Sequence, residues 1–247
     1  MSEHAMTVQA PAGPSFYEKN YFLLRRLHSL TGIVPVGVFL MEHLFTSSSI
    51  LLGSADYQKD INFIWNLPGL VLMEIFGIWL PIAFHAVLGL VYTFSGPPRP
   101  NAATYPYVRN WNYLLQRITG IIAMVYIFCH IATTRWHLQI GPWYTPFDPS
   151  YATITTVDAV QSSVWLPWFF LIGMLSAVFH LANGLWTAAI TWGLTVSAAA
   201  QRRWGYVCIG IFVVTLACGA TALGWAIAGH FAPASSAQAI CNFPAPC

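Results

Sequence analysis

The segment Trp165-Leu-Pro-Trp-Phe-Phe-Leu-Ile-Gly-Met-Leu-Ser-Ala-Val-Phe-His180-Leu-Ala-Asn-Gly184-Leu-Trp-Thr-Ala-Ala-Ile-Thr-Trp192 contains no Asp, Glu, Lys or Arg. It is longer than the roughly 20 residues a helix needs to cross about 30 Å of hydrocarbon. Tryptophans stand at both ends, where an amphipathic ring favours the membrane–water interface. In its interior sits His180, an ionisable side chain in an expensive place and therefore a sign of function.

Four further stretches read the same way: about Phe22–Phe45, Pro68–Phe94, Tyr113–Thr133 and Tyr206–Phe231. Barrel strands would be about 10 residues long with alternating polarity, and these are not. Of the 247 residues, 57% are hydrophobic and 7% charged, against roughly 25% charged in a soluble domain. The expectation is an all-α transmembrane fold, a five-helix bundle with residues 1–20 as a flexible arm, 21–232 as the membrane domain and 233–247 as a tail. The net charge of +2 gives no sign of nucleic-acid binding.

Eight of the ten basic residues, among them Arg25, Arg26, Arg117 and Arg202, lie at the N-terminal side or near the second and fourth connections, whereas Lys59 and Arg135 fall at the first and third. The positive-inside rule then places the N-terminus in the cytoplasm and, after five spans, the C-terminus outside. Cys129, Cys208 and Cys218 fall in spans and read as small buried thiols. Cys241 and Cys247 fall in the exported tail, whose compartment permits a disulfide.

His43, His85, His130 and His180 occupy four consecutive spans. Two share a frame, Phe84-His85-x-x-x-Gly89-Leu90 and Phe179-His180-x-x-x-Gly184-Leu185. The other two follow related openings, Arg26-Leu27-His28-Ser29-Leu30-Thr31-Gly32 and Gln116-Arg117-Ile118-Thr119-Gly120. Spans one and two thus repeat as three and four. Four helices around a central volume, with the fifth left over, is the economical arrangement.

At 1.5 Å of rise per residue, His43 lies about 25 Å and His130 about 20 Å from the cytoplasmic edge, while His180 lies about 22 Å in from the outer one. His43 therefore pairs with His130 near the outside and His85 with His180 near the inside. Haem iron accepts two neutral imidazoles as axial ligands, which suits electron transfer, so two pairs could hold two stacked haems. Gly89 and Gly184, one turn beyond their histidines, leave room for a flat macrocycle or for a close helix contact. Arg25, Arg26 and Arg117 could neutralise haem propionates or snorkel to the interface. His28 sits at that inner interface, with Ser29 and Thr31, where a propionate or a quinone headgroup could be bonded. Glu42 and Glu74, acids within spans near the outer side, could handle protons.

The runs Arg25-Arg26-Leu27-His28-Ser29-Leu30-Thr31-Gly32, Arg109-Asn110-Trp111, Leu115-Gln116-Arg117-Ile118-Thr119-Gly120 and Phe179-His180-Leu181-Ala182-Asn183-Gly184-Leu185-Trp186 strongly resemble one family. It is the single-chain di-haem cytochrome b membrane anchor of succinate dehydrogenase, in the succinate:quinone oxidoreductase and fumarate reductase superfamily. The resemblance covers about residues 22–231. It implies five helices, two haems b held by His43, His85, His130 and His180, and a quinone partner, usually menaquinone. It also implies a flavoprotein subunit that oxidises succinate, an iron–sulfur subunit that carries electrons to the membrane, and a place in the bacterial cytoplasmic membrane. Higher oligomers of such a complex are compatible with it. Two rival readings are the same subunit in a quinol:fumarate reductase, which uses the same cofactors in reverse, and a haem-free proton-coupled transporter.

Overall fold

A computed structural model of the chain describes residues 13, 15–95, 108–140 and 146–229. Most of the expected N-terminal arm, the proline-rich break between spans two and three, and the tail with Cys241 and Cys247 lie outside the described residues. Five helical segments are long and apolar enough to cross a membrane, as expected. The first is α1 (Phe16–Ile33) continued by α2 (Pro35–Ser48) and a 3₁₀ turn to Leu52. The second is α4 (Leu70–Glu74), a π-helical turn (Ile75–Trp79) and α5 (Leu80–Phe94). The others are α6 (Val108–Thr134), α8 (Leu166–Thr191) and α9 (Ala198–Ala228).

The ends of these helices follow from local chemistry. α1 starts at Phe16, inside the stretch expected to be a loose arm. A capping box sets this start: the Ser15 hydroxyl accepts from the Glu18 N–H at 3.3 Å, and the Glu18 carboxylate accepts from the Ser15 N–H at 2.7 Å. Pro35 has no N–H to continue the ladder, so the first span divides there into α1 and α2. α8 stops at a Schellman motif in which the Leu194 and Gly193 N–H groups donate to the carbonyls of Ala189 and Ile190 at 2.8 and 3.0 Å. Gly193 sits at φ 73°, a conformation that favours glycine.

α8 is the most buried span and packs along both α6 and α9. Leu44 of α2, Met174 and Val178 of α8, and Phe212 and Leu216 of α9 form one core, leaving α9 outside the central space. Large apolar side chains such as Phe76, Phe128 and Val214 remain exposed, which suits lipid rather than water.

The first and third connections form a cap. α3 (Ser54–Trp65) was not foreseen from the sequence, which has only a modest apolar face there; α7 (Ala152–Gln161) belongs to the expected outer cap. They are joined by the Tyr57 hydroxyl to Thr156 at 3.2 Å and by Gln58, which donates to the Pro149 carbonyl at 2.6 Å and accepts from the Ala152 N–H at 3.1 Å. Burial among apolar neighbours pushes the Tyr57 phenol above its ordinary pKa.

Candidate functional site

Between α1, α2, α4–α5, α6 and α8 lies a cavity of about 610 Å³, within the range of small-molecule and cofactor sites. Arg25, His28 and Arg117 line one end, and Trp79 and Trp136 line the other. His85 and His180 face each other across it, ring centroids 6.0 Å apart and planes at 89°.

The two repeats position these rings by one device. His85 Nδ1 is 2.8 Å from the His28 carbonyl oxygen, and His180 Nδ1 is 3.0 Å from the Gln116 carbonyl oxygen. Residues 28 and 116 each stand four places before a repeat glycine, Gly32 or Gly120. A Cβ on Gly32 would collide with the His85 ring, and one on Gly120 would come within 2.8 Å of His180 Cε1. A carbonyl can only accept, so each Nδ1 carries the proton and the neutral ring keeps its lone pair on Nε2. That is the tautomer and orientation that metal-ligating histidines take from such partners.

The second pair is also brought together, His43 and His130 having centroids 6.0 Å apart at 57°. Here too the repeats match. Phe39 stacks on His43 and Tyr126 on His130, each aromatic ring four residues earlier on the same helix, at 5.5 and 5.6 Å. A Cβ on Gly173 would collide with Tyr126, so that glycine makes room for the ring behind His130.

Of the other expected site residues, Arg25, His28, Ser29, Gly89, Arg117 and Gly184 line the cavity. Gly89 lies against the His28 ring and Gly184 against the Gln116 amide, so each missing side chain makes room for a neighbour as well as for the cavity. The His28 ring stacks on His85 at 4.0 Å and 9°. Arg25 donates to the Tyr21 hydroxyl at 2.8 Å and lies over Tyr92, and Arg117 lies over Tyr113 at 3.6 Å. Arg26 is held against Phe22 and Trp192, and Thr31 bonds the carbonyls of Leu27 and His28 in its own helix, so both lie off the lining.

The two acids have separate partners. The Glu74 carboxylate accepts from Arg135 Nε at 3.1 Å and Nη2 at 2.9 Å, a bidentate pair. Glu42 is exposed and accepts from the Thr46 hydroxyl at 2.7 Å. The sequence did not reveal Arg135 as the partner of Glu74, because 61 residues separate them. The roles of Gln116 and Asn183 as neighbours of His180 were also missed, although the position of Gln116 in the repeat, matching His28, was a usable signal.

No protein-family model matches the chain. It is 38% identical over 192 residues to the succinate dehydrogenase cytochrome b558 subunit of Bacillus subtilis, an alignment covering 78% of this chain and 90% of that protein. The chain belongs to that family.

As a succinate dehydrogenase cytochrome b subunit it is a haem b protein, part of an enzyme complex, and crosses the bacterial inner membrane several times. The residues fit such a group. Two metal–imidazole bonds of about 2 Å, with a ring radius added at each end, separate two ring centroids by about 6 Å, and both histidine pairs stand at 6.0 Å. His130 Nδ1 is buried without a partner among the described residues.

Proposed function

We propose that this chain holds two haems b, one between His85 and His180 and one between His43 and His130, and carries electrons between a cytoplasmic iron–sulfur subunit and a quinone such as menaquinone. The observation that supports this best is the twofold repetition at the inner pair, where each Nδ1 is tied to a backbone carbonyl and each ring keeps its lone pair on Nε2. A haem held by two of these imidazoles would supply a one-electron carrier rather than an oxygen site. The family's name supports succinate oxidation as the reaction of the complex. This chain's part is the membrane segment of the path, with the flavoprotein acting on succinate.

The chain's own residues bind, orient and shield. The carbonyls of His28 and Gln116 fix the inner imidazoles, while Phe39 and Tyr126 fix the outer ones. Apolar side chains such as Ile127 and Leu181 keep the cavity wall free of competing ligands. Arg25 and Arg117 supply cationic donors at the inner end, suited to propionate carboxylates or a quinone oxygen. The N-terminus then lies in the cytoplasm, and the arginine-rich inner face receives the iron–sulfur partner. Proton handling for the quinone falls to the outer region. Both Glu74 oxygens are engaged by Arg135, so proton transfer there requires that pair to open.

A pyridine haemochrome assay on the purified complex tests this directly. Two haems b per copy of this chain are expected; one or none would contradict the proposal.

A further inference from the structure

One hydrogen bond to Nδ1 fixes a single point of an imidazole and leaves the ring free to swing about that bond, so a ligating histidine needs a second restraint. In the first repeat the restraint is the His28 ring, which lies flat on His85 at 4.0 Å. In the second repeat no aromatic ring occupies that position, because residue 116 is Gln. Its side-chain amide takes over. Gln116 Nε2 donates to the His180 carbonyl at 3.1 Å and lies 3.4 Å from His180 Nε2.

The direction of that amide is itself fixed. The buried Asn183 donates through Nδ2 to Gln116 Oε1 at 2.6 Å and to the Asn112 carbonyl at 3.3 Å. With Oε1 thus engaged as an acceptor, the N–H face of Gln116 must point toward His180. Gly184 gives the amide its space, as Gly89 does for His28. His180 Nδ1 donates to the Gln116 backbone, so Nε2 is the acceptor facing the amide N–H. A single residue therefore holds His180 at two points, the ring Nδ1 through its main chain and the His180 carbonyl through its side chain, and the long Nε2 contact would give way when that lone pair is taken by a metal.

We propose that Gln116, braced by Asn183, is the positioning residue for His180. It holds the imidazole in the tautomer and orientation that present Nε2 to the cavity, the task His28 performs for His85. The inner centre is then a twofold site whose halves use different restraints, a stacked ring and a hydrogen-bonded amide. This rests on the reading that His85 and His180 hold the inner haem.

The test uses the purified complex with Gln116→Leu, which keeps the volume and removes the amide, Asn183→Leu, which removes the brace, and Gln116→His, which installs the residue of the first repeat. Removing an outer-shell partner of a metal ligand typically weakens metal affinity about 10–100-fold. Gln116→Leu is therefore expected to hasten transfer of the inner haem to excess apomyoglobin and to shift that haem's low-temperature EPR g value. The outer haem should remain unchanged and report that the bundle is intact. Asn183→Leu should act in the same direction, and Gln116→His should restore retention of the inner haem. Unchanged inner-haem retention and EPR signal in Gln116→Leu would overturn the inference, as would equal loss of both haems, which would signify general packing. If the wild-type complex lacks an inner haem, or keeps it after His180→Ala, the underlying ligand assignment fails instead.

Discussion

At the scale of single residues, the inner site depends on what is missing as much as on what is present. Gly32 and Gly120 have no side chain because a histidine from a neighbouring helix fills the space. Gly120→Ala would put a Cβ within 2.8 Å of His180 Cε1 and 3.1 Å of Nδ1. The ring must then move away from the Gln116 carbonyl. Overpacking of this kind costs about 1–3 kcal/mol, and here the cost falls on the placement of the His180 ring. With two haems held as proposed, Gly120→Ala is expected to lower haem content from two per chain toward one, read by pyridine haemochrome, with the outer centre retained. Full retention of both haems would show that the bundle relaxes around the added methyl group.

The four histidines were legible in the sequence because charge and polarity are scarce in these spans, so each stood out against an apolar background. Their partners were not. A backbone carbonyl leaves no mark in a sequence, and the fixing of His85 by the residue 28 carbonyl appears only once α1 and α5 are docked. Arg26 and Thr31 shared the inner ends of the spans with true lining residues. Which side of a helix each presents was decided by packing against Trp192 and by hydrogen bonding within α1.

At the scale of elements, the spans followed from length and hydropathy, while the short helices between them did not. α3 carries polar residues throughout, and what holds it in place is its union with α7 through Tyr57 and Gln58. The break of the first span at Pro35 follows from proline chemistry, yet the π-helical turn at Ile75–Trp79 has no such marker. That turn sits directly after Glu74 and carries Trp79, which packs edge-on against Trp136 at 5.1 Å. The Glu74–Arg135 pair therefore ties the second span to the outer end of α6. Breaking a buried pair by removing one partner costs about 3–5 kcal/mol, but the Arg135 side chain is 37% exposed, so a smaller loss of about 1–2 kcal/mol is expected. Glu74→Gln and Arg135→Met should each lower thermal stability, and the double variant should recover part of the loss. Strict additivity in that cycle would deny the coupling. If Glu74→Gln also leaves turnover and its dependence on membrane potential unchanged, Glu74 has no part in proton handling.

At the scale of the whole molecule, two helical repeats enclose the site and a fifth helix buttresses it from outside. The bundle was legible because the Phe-His-x-x-x-Gly-Leu frame recurs, and depth along each span sorted the histidines into pairs. The orientation in the membrane follows from the distribution of the basic residues. A cysteine placed at Lys59 should react with impermeant reagents from outside intact cells, and one placed at Arg202 only after the cells are opened; the reverse pattern would invert the topology. The pairing of the histidines is tested by optical spectra of His43→Ala, His85→Ala, His130→Ala and His180→Ala in the purified complex. His43→Ala and His130→Ala should each remove the same haem, His85→Ala and His180→Ala should each remove the other, and every variant should keep one haem. Loss of different haems within either pair, or retention of both haems in any variant, would contradict it.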